Sequence, residues 1–313
     1  MTTPITFNEA VELLNTEGAD VYRVLNRAHE VRMKNRPHTV NLCGIVNAKS
    51  GMCTEDCKFC AQSAHNSVDI NCYNLMDADM ITARAKESST HKASRFSIVT
   101  SGLKIEDGAE LNEIKTAIKQ ITDSIDIRPC TSLGNVSKKT LLDLKNAGLK
   151  RYHCNLETSE SYYSSICTTR PWKDSVQTIK YAKEAGLEVC SGGLFGLGEN
   201  STQRAELLET LKTLNVDSVP LNFFYPVKGT RINIEQPVSP LECLKIVAVA
   251  RLMMPDKEIR VCGGREFNLG DLQSWIFISG ADGMMIGGYL TTRGRAVEDD
   301  LKMISDAGFK ISP

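Results

Sequence analysis

The sequence predicts an α/β fold, a (β/α)8 TIM-type barrel with an N-terminal helical extension. Two observations support this prediction. Eight short apolar runs alternate with helical patterns, and such alternation indicates parallel β/α units. In addition, three helical patterns end on a glycine just before a strand, at Gly148, Gly186 and Gly280. Glycine there supplies the left-handed C-cap that turns the chain back towards a sheet. Eight such units are typical of a barrel with its site at the C-terminal strand ends.

The elements follow in order along the chain. Apolar residues recur at helical spacing from Thr6 to about Arg36, and Pro37 ends this predicted extension. The predicted strands are residues 40–46, 96–100, 125–128, 151–156, 188–191, 218–222, 258–262 and 283–286. The predicted openings of the helices between them are Ser137, Lys173 or Asp174, Ser201 or Thr202, and Ser239 ahead of Pro240. We predict a single domain, residues 1–313, with the extension at 1–37, the barrel at 38–293 and a C-terminal tail at 294–313.

Composition excludes several classes of protein. The net charge of -1 gives no electrostatic reason to bind nucleic acid or an anionic membrane surface. No apolar run approaches the roughly 20 residues that a membrane span needs. The 11 cysteines are an odd number, and the chain starts without a signal-peptide pattern. A disulfide framework is therefore disfavoured, and we expect a cytoplasmic protein with reduced thiols.

Three cysteines on one short segment indicate an iron–sulfur cluster. Cys53, Cys57 and Cys60 have the spacing C-x3-C-x2-C, and thiolates are the usual ligands of such clusters. Three ligands leave one iron of a [4Fe–4S] cubane open, which favours catalysis over electron storage. A zinc site is the alternative, because Cys57 and Cys60 form one C-x2-C knuckle. However, the sequence has no second C-x2-C and no H-x3-H pattern.

A glycine-rich turn follows the fifth predicted strand, within residues 190–199. Its Gly192 and Gly193 would let the backbone approach a bound cofactor closely. Together with the cysteine run, this turn resembles the biotin synthase family of the radical S-adenosyl-L-methionine (SAM) superfamily. Further segments share the resemblance in order from about residue 40 to 310: residues 55–58, 61–63, 152–158, 219–222, 260–266 and 290–292.

The resemblance implies a radical SAM sulfurtransferase that closes the thiophane ring of biotin. In that family, two 5′-deoxyadenosyl radicals from two SAM molecules abstract hydrogens from dethiobiotin, and an auxiliary iron–sulfur cluster supplies the sulfur. The protein aims the radical and positions the substrate, whereas the cofactors carry the hard chemistry. The resemblance also implies flavodoxin or ferredoxin as electron donor and a homodimer.

The resemblance assigns roles to individual residues. It implies that Cys53, Cys57 and Cys60 bind the SAM cluster. The residues matched to SAM contacts are Phe59, Asn155, Glu157, Gly192 and Gly193. Those matched to dethiobiotin contacts are Lys49, Asn155, Asn222, Thr291 and Thr292. Without the resemblance, Asn155 would be interpreted as a strand-end amide and Lys49 as a solvated surface lysine.

The auxiliary site departs from the family pattern. The usual [2Fe–2S] cluster has three cysteines and an arginine, which Cys130, Cys190 and Arg260 match in part. Ser97 stands where the remaining cysteine is expected, and a hydroxyl is a poor replacement for a thiolate. Cys262 lies two residues after Arg260, so both should face the same side of a strand.

Cys43 on the first strand supplies a further thiol. The hypothesis is therefore an inward-facing set of Cys43, Cys130, Cys190 and Cys262 beside Arg260. Such a set would support a [4Fe–4S]-type auxiliary cluster with an extra sulfide, as in a divergent class of the family, and a [2Fe–2S] cluster is the alternative. Strand parity places Cys154 on the outer side.

The other cysteines, Cys72, Cys167 and Cys243, are interpreted as spare or core thiols. Ser175 is a second departure, because the family often has an arginine near the SAM carboxylate at this position.

Two other functions stay open at this point. One is another radical SAM enzyme of the same architecture, such as a hydrogenase-maturation enzyme. The other is a non-catalytic iron–sulfur carrier or scaffold, which would explain the many cysteines. Asn155, Asn222 and the Thr291–Thr292 pair favour the biotin synthase family.

Overall fold

Eight parallel strand positions close into a barrel in the computed structural model, which describes residues 2–234 and 238–312. Each strand pairs with the next around the ring, and the last barrel strand, Gly283–Met285, returns to the first, Thr39–Lys49, through the pairs Asn41–Gly283 and Cys43–Met285. The strands are β1 (Thr39–Lys49), β2 (Arg95–Thr100), β3 (Arg128–Ser132), β4 (Arg151–His153), β5 (Glu188–Cys190), β6 (Gly193–Phe195), β7 (Ser218–Phe223), β8 (Glu258–Val261), β9 (Gly283–Met285) and β10 (Lys310–Ile311). The short strand β6 continues the line of β5 and pairs with β7.

Helices surround the barrel. They are α1 (Phe7–Leu14), α2 (Asp20–Asn35), α3 (Ala78–Thr90), α4 (Gly108–Ser124), α5 (Lys138–Asn146), α6 (Glu160–Tyr163), α7 (Trp172–Glu184), α8 (Ser201–Thr213), α9 (Pro240–Met253), α10 (Arg265–Leu269), α11 (Trp275–Ile278) and α12 (Val297–Asp306), with a 3-10 turn at Gly270–Leu272. The apolar core lies between this layer and the strands. Among the described residues, none of the helices is both long and apolar enough for a bilayer crossing.

The helix α9 is buried on almost every side. The N-terminal helices α1 and α2 pack against it from outside, while β8 lies on its inner face. A helix that is apolar all round is a core helix, and this accounts for the N-terminal extension. The extension consists of two helices and not one, because Gly18 adopts a positive φ of 61° between them.

The third strand begins later than predicted. Only Arg128 of the predicted strand lies in β3, and Ile125 instead caps the end of α4 by donating its backbone N–H to the carbonyl of Ile121 at 3.0 Å. Residues 125–127 therefore form the connection between α4 and β3. The strand starts three residues later than predicted and includes Pro129, a residue that is disfavoured within sheets.

Most helix starts follow the predicted capping residues. Ser137 and Ser239 accept backbone N–H groups at the starts of α5 and α9, as predicted. Ser201, one of the two predicted openings, is the first residue of α8 and follows its cap Asn200, whereas α7 begins at Trp172, one residue before the predicted Lys173. The C-terminal tail extends the sheet, since Lys310 pairs with Thr39 of β1.

Candidate active site

A cavity of about 360 Å³ runs along the barrel axis from buried thiols to the loops at the C-terminal strand ends. Its deep wall is formed by side chains that point inward from successive strands. The chemically reactive members of this wall are Cys43, Ser97, Cys130, Cys190, Arg260 and Cys262. Cys154 is absent from the lining, and its thiol lies 3.6 Å from the Asn135 side-chain oxygen.

The loop after β1, which carries Cys53, Cys57 and Cys60, reaches this cavity through Phe59 and Ala61, the two neighbours of Cys60. Asn66 fixes the loop by donating its side-chain N–H to the carbonyl oxygens of Cys57 and Cys60, at 3.1 and 2.8 Å. The backbone of Cys53 pairs with Gln62 and Ala64, at 3.0 and 2.8 Å. The three thiols therefore belong to one hydrogen-bonded loop.

These thiols are close enough to act on one another electrostatically. Burial raises the pKa of the Cys60 thiol to about 11, and a negative charge on Cys53 would raise it further. A metal displaces such protons when it binds, so the loop suits iron better than free thiolate chemistry.

Asp56 links the cysteine loop to the segment before α7. Its carboxylate accepts hydrogen bonds from the Thr168 N–H at 2.7 Å, the Thr168 hydroxyl at 2.6 Å and the Thr169 N–H at 3.2 Å. Burial by itself would raise the pKa of Asp56. The hydrogen bonds from Thr168 and Thr169 have the larger effect and hold this pKa well below its usual range. The carboxylate therefore stays ionised and ties the loop down.

The same segment contributes two residues that sequence reasoning left without a role. Cys167 is buried and belongs to the same small buried cluster as Cys57. Arg170 donates from Nε to the Tyr163 hydroxyl at 3.0 Å, and its charge acts on Cys57 and Glu157. Ser175 is buried against Asn135, with 3.3 Å between its hydroxyl and the amide oxygen.

The deep thiols are fully enclosed. Burial raises the pKa of Cys43 to about 12, although the charge of Arg260 opposes the shift. Burial also raises the pKa values of Cys130, Cys190 and Cys262, and Arg260 lies close enough to each to oppose this rise. Without metal these groups are neutral at pH 7. With metal they supply four soft ligands around one space.

The donor sets fit clusters better than a single ion. Within residues 2–234 and 238–312, no three His, Cys, Asp or Glu side chains converge tightly enough to hold one metal ion. A cluster takes its thiolate ligands on several irons, and the four deep thiols come from different parts of the barrel wall that line one cavity. All eleven cysteines are free thiols, in agreement with the rejection of a disulfide framework.

The predicted substrate and SAM residues divide into two groups. Those that line the cavity are Phe59, Asn155, Glu157, Asn222, Thr291 and Thr292. Lys49, Gly192 and Gly193 lie outside the lining. Lys49 pairs with Glu110 at 2.7 Å, about one-third exposed, which matches a surface lysine more closely than a cavity residue.

The two asparagines hold the backbone as well as the cavity wall. Asn155 accepts the Gly192 N–H at 3.1 Å, and Asn222 accepts the Gly263 N–H at 2.9 Å. Each amide also donates, from Asn155 to the Glu157 carboxylate at 3.4 Å and from Asn222 to the Gly193 carbonyl at 3.2 Å. Glu157 lies two residues after Asn155 and has a positive φ of 65°. Burial raises the pKa of its carboxyl group.

Gly192 and Gly193 have a packing reason of their own. A Cβ at Gly192 would lie 1.9 Å from the Pro220 carbonyl oxygen, and one at Gly193 would lie 2.6 Å from the Glu157 carbonyl oxygen. The close approach is thus to neighbouring strands. A contact with SAM stays a prediction.

Sequence reasoning missed a buried charge network and a histidine. Arg95, Glu188, Arg151, Glu258 and Arg260 form a chain of ion pairs across the cavity floor. Strand parity with Arg260 could have revealed Glu258, since both face inward. His153 also lines the cavity, and burial lowers its pKa to about 4, so it is neutral at pH 7.

Comparisons with known proteins first define the class. Residues 48–211 match the Radical SAM superfamily, and residues 220–310 match the Biotin and Thiamin Synthesis associated domain. The closed barrel with its three-cysteine loop is thus that of a radical SAM enzyme, and the chain belongs to that superfamily.

Within the superfamily, the chain belongs to the biotin synthase family. It is 47% identical to a biotin synthase from Geobacter metallireducens over 302 residues, which cover 96% of this chain and 92% of the relative. It is 48% identical to a biotin synthase from Citrifermentans bemidjiense over 306 residues, which cover 98% and 93% of the two chains. Membership implies a [4Fe–4S] cluster, SAM and an auxiliary cluster.

Solved structures support the fold alone. Methylornithine synthase superposes with a TM-score of 0.84 at 21% identity, over 99% of this chain and 95% of the other. The FeFe-hydrogenase maturase from Carboxydothermus hydrogenoformans gives 0.83 at 18% identity, over 98% and 75%. The predicted (β/α)8 barrel is confirmed.

Proposed function

We propose that this enzyme converts dethiobiotin to biotin, replacing two C–H bonds of the substrate by two C–S bonds. The observation that carries the proposal is a single cavity whose lining joins Phe59 and Ala61 of the three-cysteine loop to the four buried thiols Cys43, Cys130, Cys190 and Cys262. A radical generator and a sulfur source are both needed for this reaction, and the two thiol sets supply a place for each. Family membership supports the choice of substrate.

Cys53, Cys57 and Cys60 would hold the SAM cluster, with Phe59, Asn155 and Glu157 beside SAM. When bound, the cluster and SAM supply a hydrogen-abstracting 5′-deoxyadenosyl radical by one-electron cleavage. The chain contributes the fixed loop described above and a wall that excludes water. Excluding water protects a radical from side reactions.

Cys43, Cys130, Cys190 and Cys262 would hold the auxiliary cluster, which we propose to be of [4Fe–4S] type with an extra sulfide. Four enclosed thiols favour it over a [2Fe–2S] cluster on Cys130, Cys190 and Arg260. Ser97 lines the same wall but offers no thiolate. Measuring the iron and sulfide content of the reconstituted protein would distinguish the two types of cluster.

Asn155 and Asn222 would bind the ureido end of dethiobiotin, and Thr291 and Thr292 its carboxylate. The amide groups and the threonines lie at different parts of the same cavity lining, so the substrate would extend between them. Lys49 would reach the carboxylate only after leaving Glu110, so we assign it the smallest part in binding.

A small reductant protein, flavodoxin or ferredoxin, would supply electrons, and we propose a homodimer as in the family. Eleven free thiols suit a reducing compartment, which supports a cytoplasmic location.

The test is an anaerobic reaction of the iron- and sulfide-reconstituted protein with dethiobiotin, SAM and a reductant, followed by mass spectrometry. Biotin with about two 5′-deoxyadenosines per product is expected. Deoxyadenosine without biotin would retain the radical SAM class and reject this substrate.

The proposed auxiliary ligands have a separate test. Cys43→Ala and Cys262→Ala should each lower bound iron, because each removes a thiolate from the set. Cys154→Ala is the matched control, since Cys154 is also buried at a strand end but lies outside the cavity lining. An unchanged iron content in both Cys43→Ala and Cys262→Ala would contradict the assignment of four thiolate ligands.

A further inference from the structure

The floor of the thiol-lined chamber contains buried guanidinium groups with unused hydrogen-bond donors. Arg260 and Arg95 expose only 3% and 5% of their side chains. Among the described residues, Nε and Nη1 of Arg260 and Nη1 of Arg95 have no hydrogen-bond partner. Buried donors without an acceptor cost free energy, so these three N–H positions indicate that an acceptor belongs in the chamber.

The orientation of both arginines is set by a chain of ion pairs. Arg260 donates from Nη2 to Glu258 at 2.6 Å, and Arg151 bridges Glu258 at 2.7 Å to Glu188 at 2.9 Å. Arg95 donates from Nη2 to the same Glu188 at 2.7 Å. Each outer arginine is therefore held by one edge of its guanidinium, and its other donors are left for the chamber.

The chamber selects the charge and the size of the acceptor. Arg95, Arg151 and Arg260 line the chamber floor, whereas Glu188 and Glu258, which pair with them, do not line it, so an anion is complementary to this floor. The remaining wall combines thiols with apolar side chains such as Val99 and with the uncharged polar groups of Ser97, Ser132 and His153. Such a wall adds no further cation, and its thiols and apolar groups suit a small, soft anion.

We propose that Arg95 and Arg260 form a binding site for inorganic sulfide, present as hydrosulfide or as a sulfide of the auxiliary cluster. In this arrangement Arg260 is a hydrogen-bond donor to sulfur and not an iron ligand, because its ion pair with Glu258 favours the protonated guanidinium, whose nitrogens have no free lone pair for iron. Glu188, Arg151 and Glu258 are positioning residues. The inference rests on the proposed auxiliary centre and deepens it.

The experiment measures retention of radiolabelled sulfide after gel filtration, in iron-reconstituted and in iron-free protein. The variants are Arg95→Met, Arg260→Met and Arg260→Lys. Arg128→Met is the matched control, because Arg128 opens the neighbouring strand at the same end of the barrel but is exposed. Folding is checked separately. Each arginine substitution is also made in a protein that lacks the four deep thiols, where normal iron binding at Cys53, Cys57 and Cys60 shows that the variant folds.

Wild type and Arg128→Met should retain the labelled sulfide. Arg95→Met and Arg260→Met should bind it about tenfold less tightly, because each loses a hydrogen bond to a charged group. Arg260→Lys keeps the charge but loses the forked donors, so it should also weaken retention. Retention in both protein forms identifies free hydrosulfide, and retention only with iron identifies a cluster sulfide.

Two results would overturn the inference. Equal retention in all variants would show that thiolates alone hold the sulfide. Loss of auxiliary iron in Arg260→Met and Arg260→Lys would show that Arg260 is an iron ligand. Failure of the proposed function is distinguishable, because biotin formation is measured separately: arginine-dependent retention without biotin rejects the substrate and leaves the sulfide site standing.

Discussion

Asp56 is the residue that connects the cysteine loop to the segment before α7. Its carboxylate accepts three hydrogen bonds from Thr168 and Thr169, next to the ligand Cys57. An amide can accept fewer of these bonds. Asp56→Asn should therefore lower the free energy of unfolding of the iron-free protein by about 1–3 kcal/mol at pH 7, measured by urea denaturation.

The effect of Asp56→Asn should depend on pH in a defined direction. The folded-state pKa of Asp56 lies below its ordinary value of 3.8. Its carboxylate thus contributes its full stability above that value and loses it as the pH falls further. The difference between the variant and wild type should shrink in acid. Asp69→Asn, at an exposed position, is the control, and a pH-independent difference would contradict the ionised-tether account.

At the scale of elements, the junction of β5, β6 and β7 depends on close strand contact. Gly192→Ala would bring a methyl group to 1.9 Å from the Pro220 carbonyl oxygen, so the variant should lose about 3 kcal/mol even without SAM. Thermal unfolding of the iron-free protein measures this. Gly288→Ala is the control, since no atom lies within 4 Å of its added Cβ. Normal iron-free stability with weaker SAM binding would instead assign Gly192 to the cofactor.

A buried ion pair joins α9 to β8 and β9. Arg251 is fully buried and contacts Asp282 at 2.7 Å, and it also donates to the carbonyl oxygens of Gly280 and Lys257, at 2.8 and 2.7 Å. Arg251→Met leaves Asp282 buried without this partner, so we expect a loss of about 3–5 kcal/mol in chemical denaturation. Arg84→Met, which removes an exposed pair with Glu87, should change stability by less than about 0.5 kcal/mol. Similar losses in the two variants would contradict this reasoning.

For the whole molecule, we propose that the chain folds as one domain although two family segments cover it. Strands from residues 48–211 and from 220–310 lie in one closed ring, and neither segment can close it alone. The two tryptophans report on each part, because Trp172 lies in the first and Trp275 in the second. Trp172→Phe and Trp275→Phe should give the same urea midpoint by fluorescence. Two separate midpoints would indicate two domains.

Local sequence determined the elements whose cause is local. The cysteine loop, the alternation of strands with helices and the caps at Ser137 and Ser239 depend on residues within a few positions of one another. The third strand was predicted too early because Ile125 and Ile127 alternate with a polar residue as a strand would, and only the structure shows that they connect α4 to β3. Resemblance supplied the substrate residues, of which the structure brings Asn155, Asn222 and the two threonines to one cavity but leaves Lys49 beside Glu110.

Tertiary structure alone decided the chemistry of the chamber floor. The sequence could place Arg260 and Cys262 on the same face, because the alternation of side chains is a property of a single strand. It could not predict the partners of Arg260. The ion pairs that link Arg95, Arg151 and Arg260 through two glutamates join four strands. Their partners depend on the register between strands and on barrel closure, which no local pattern encodes. The unused donors of these arginines, and hence the inferred sulfide site, exist only because closure buries them together.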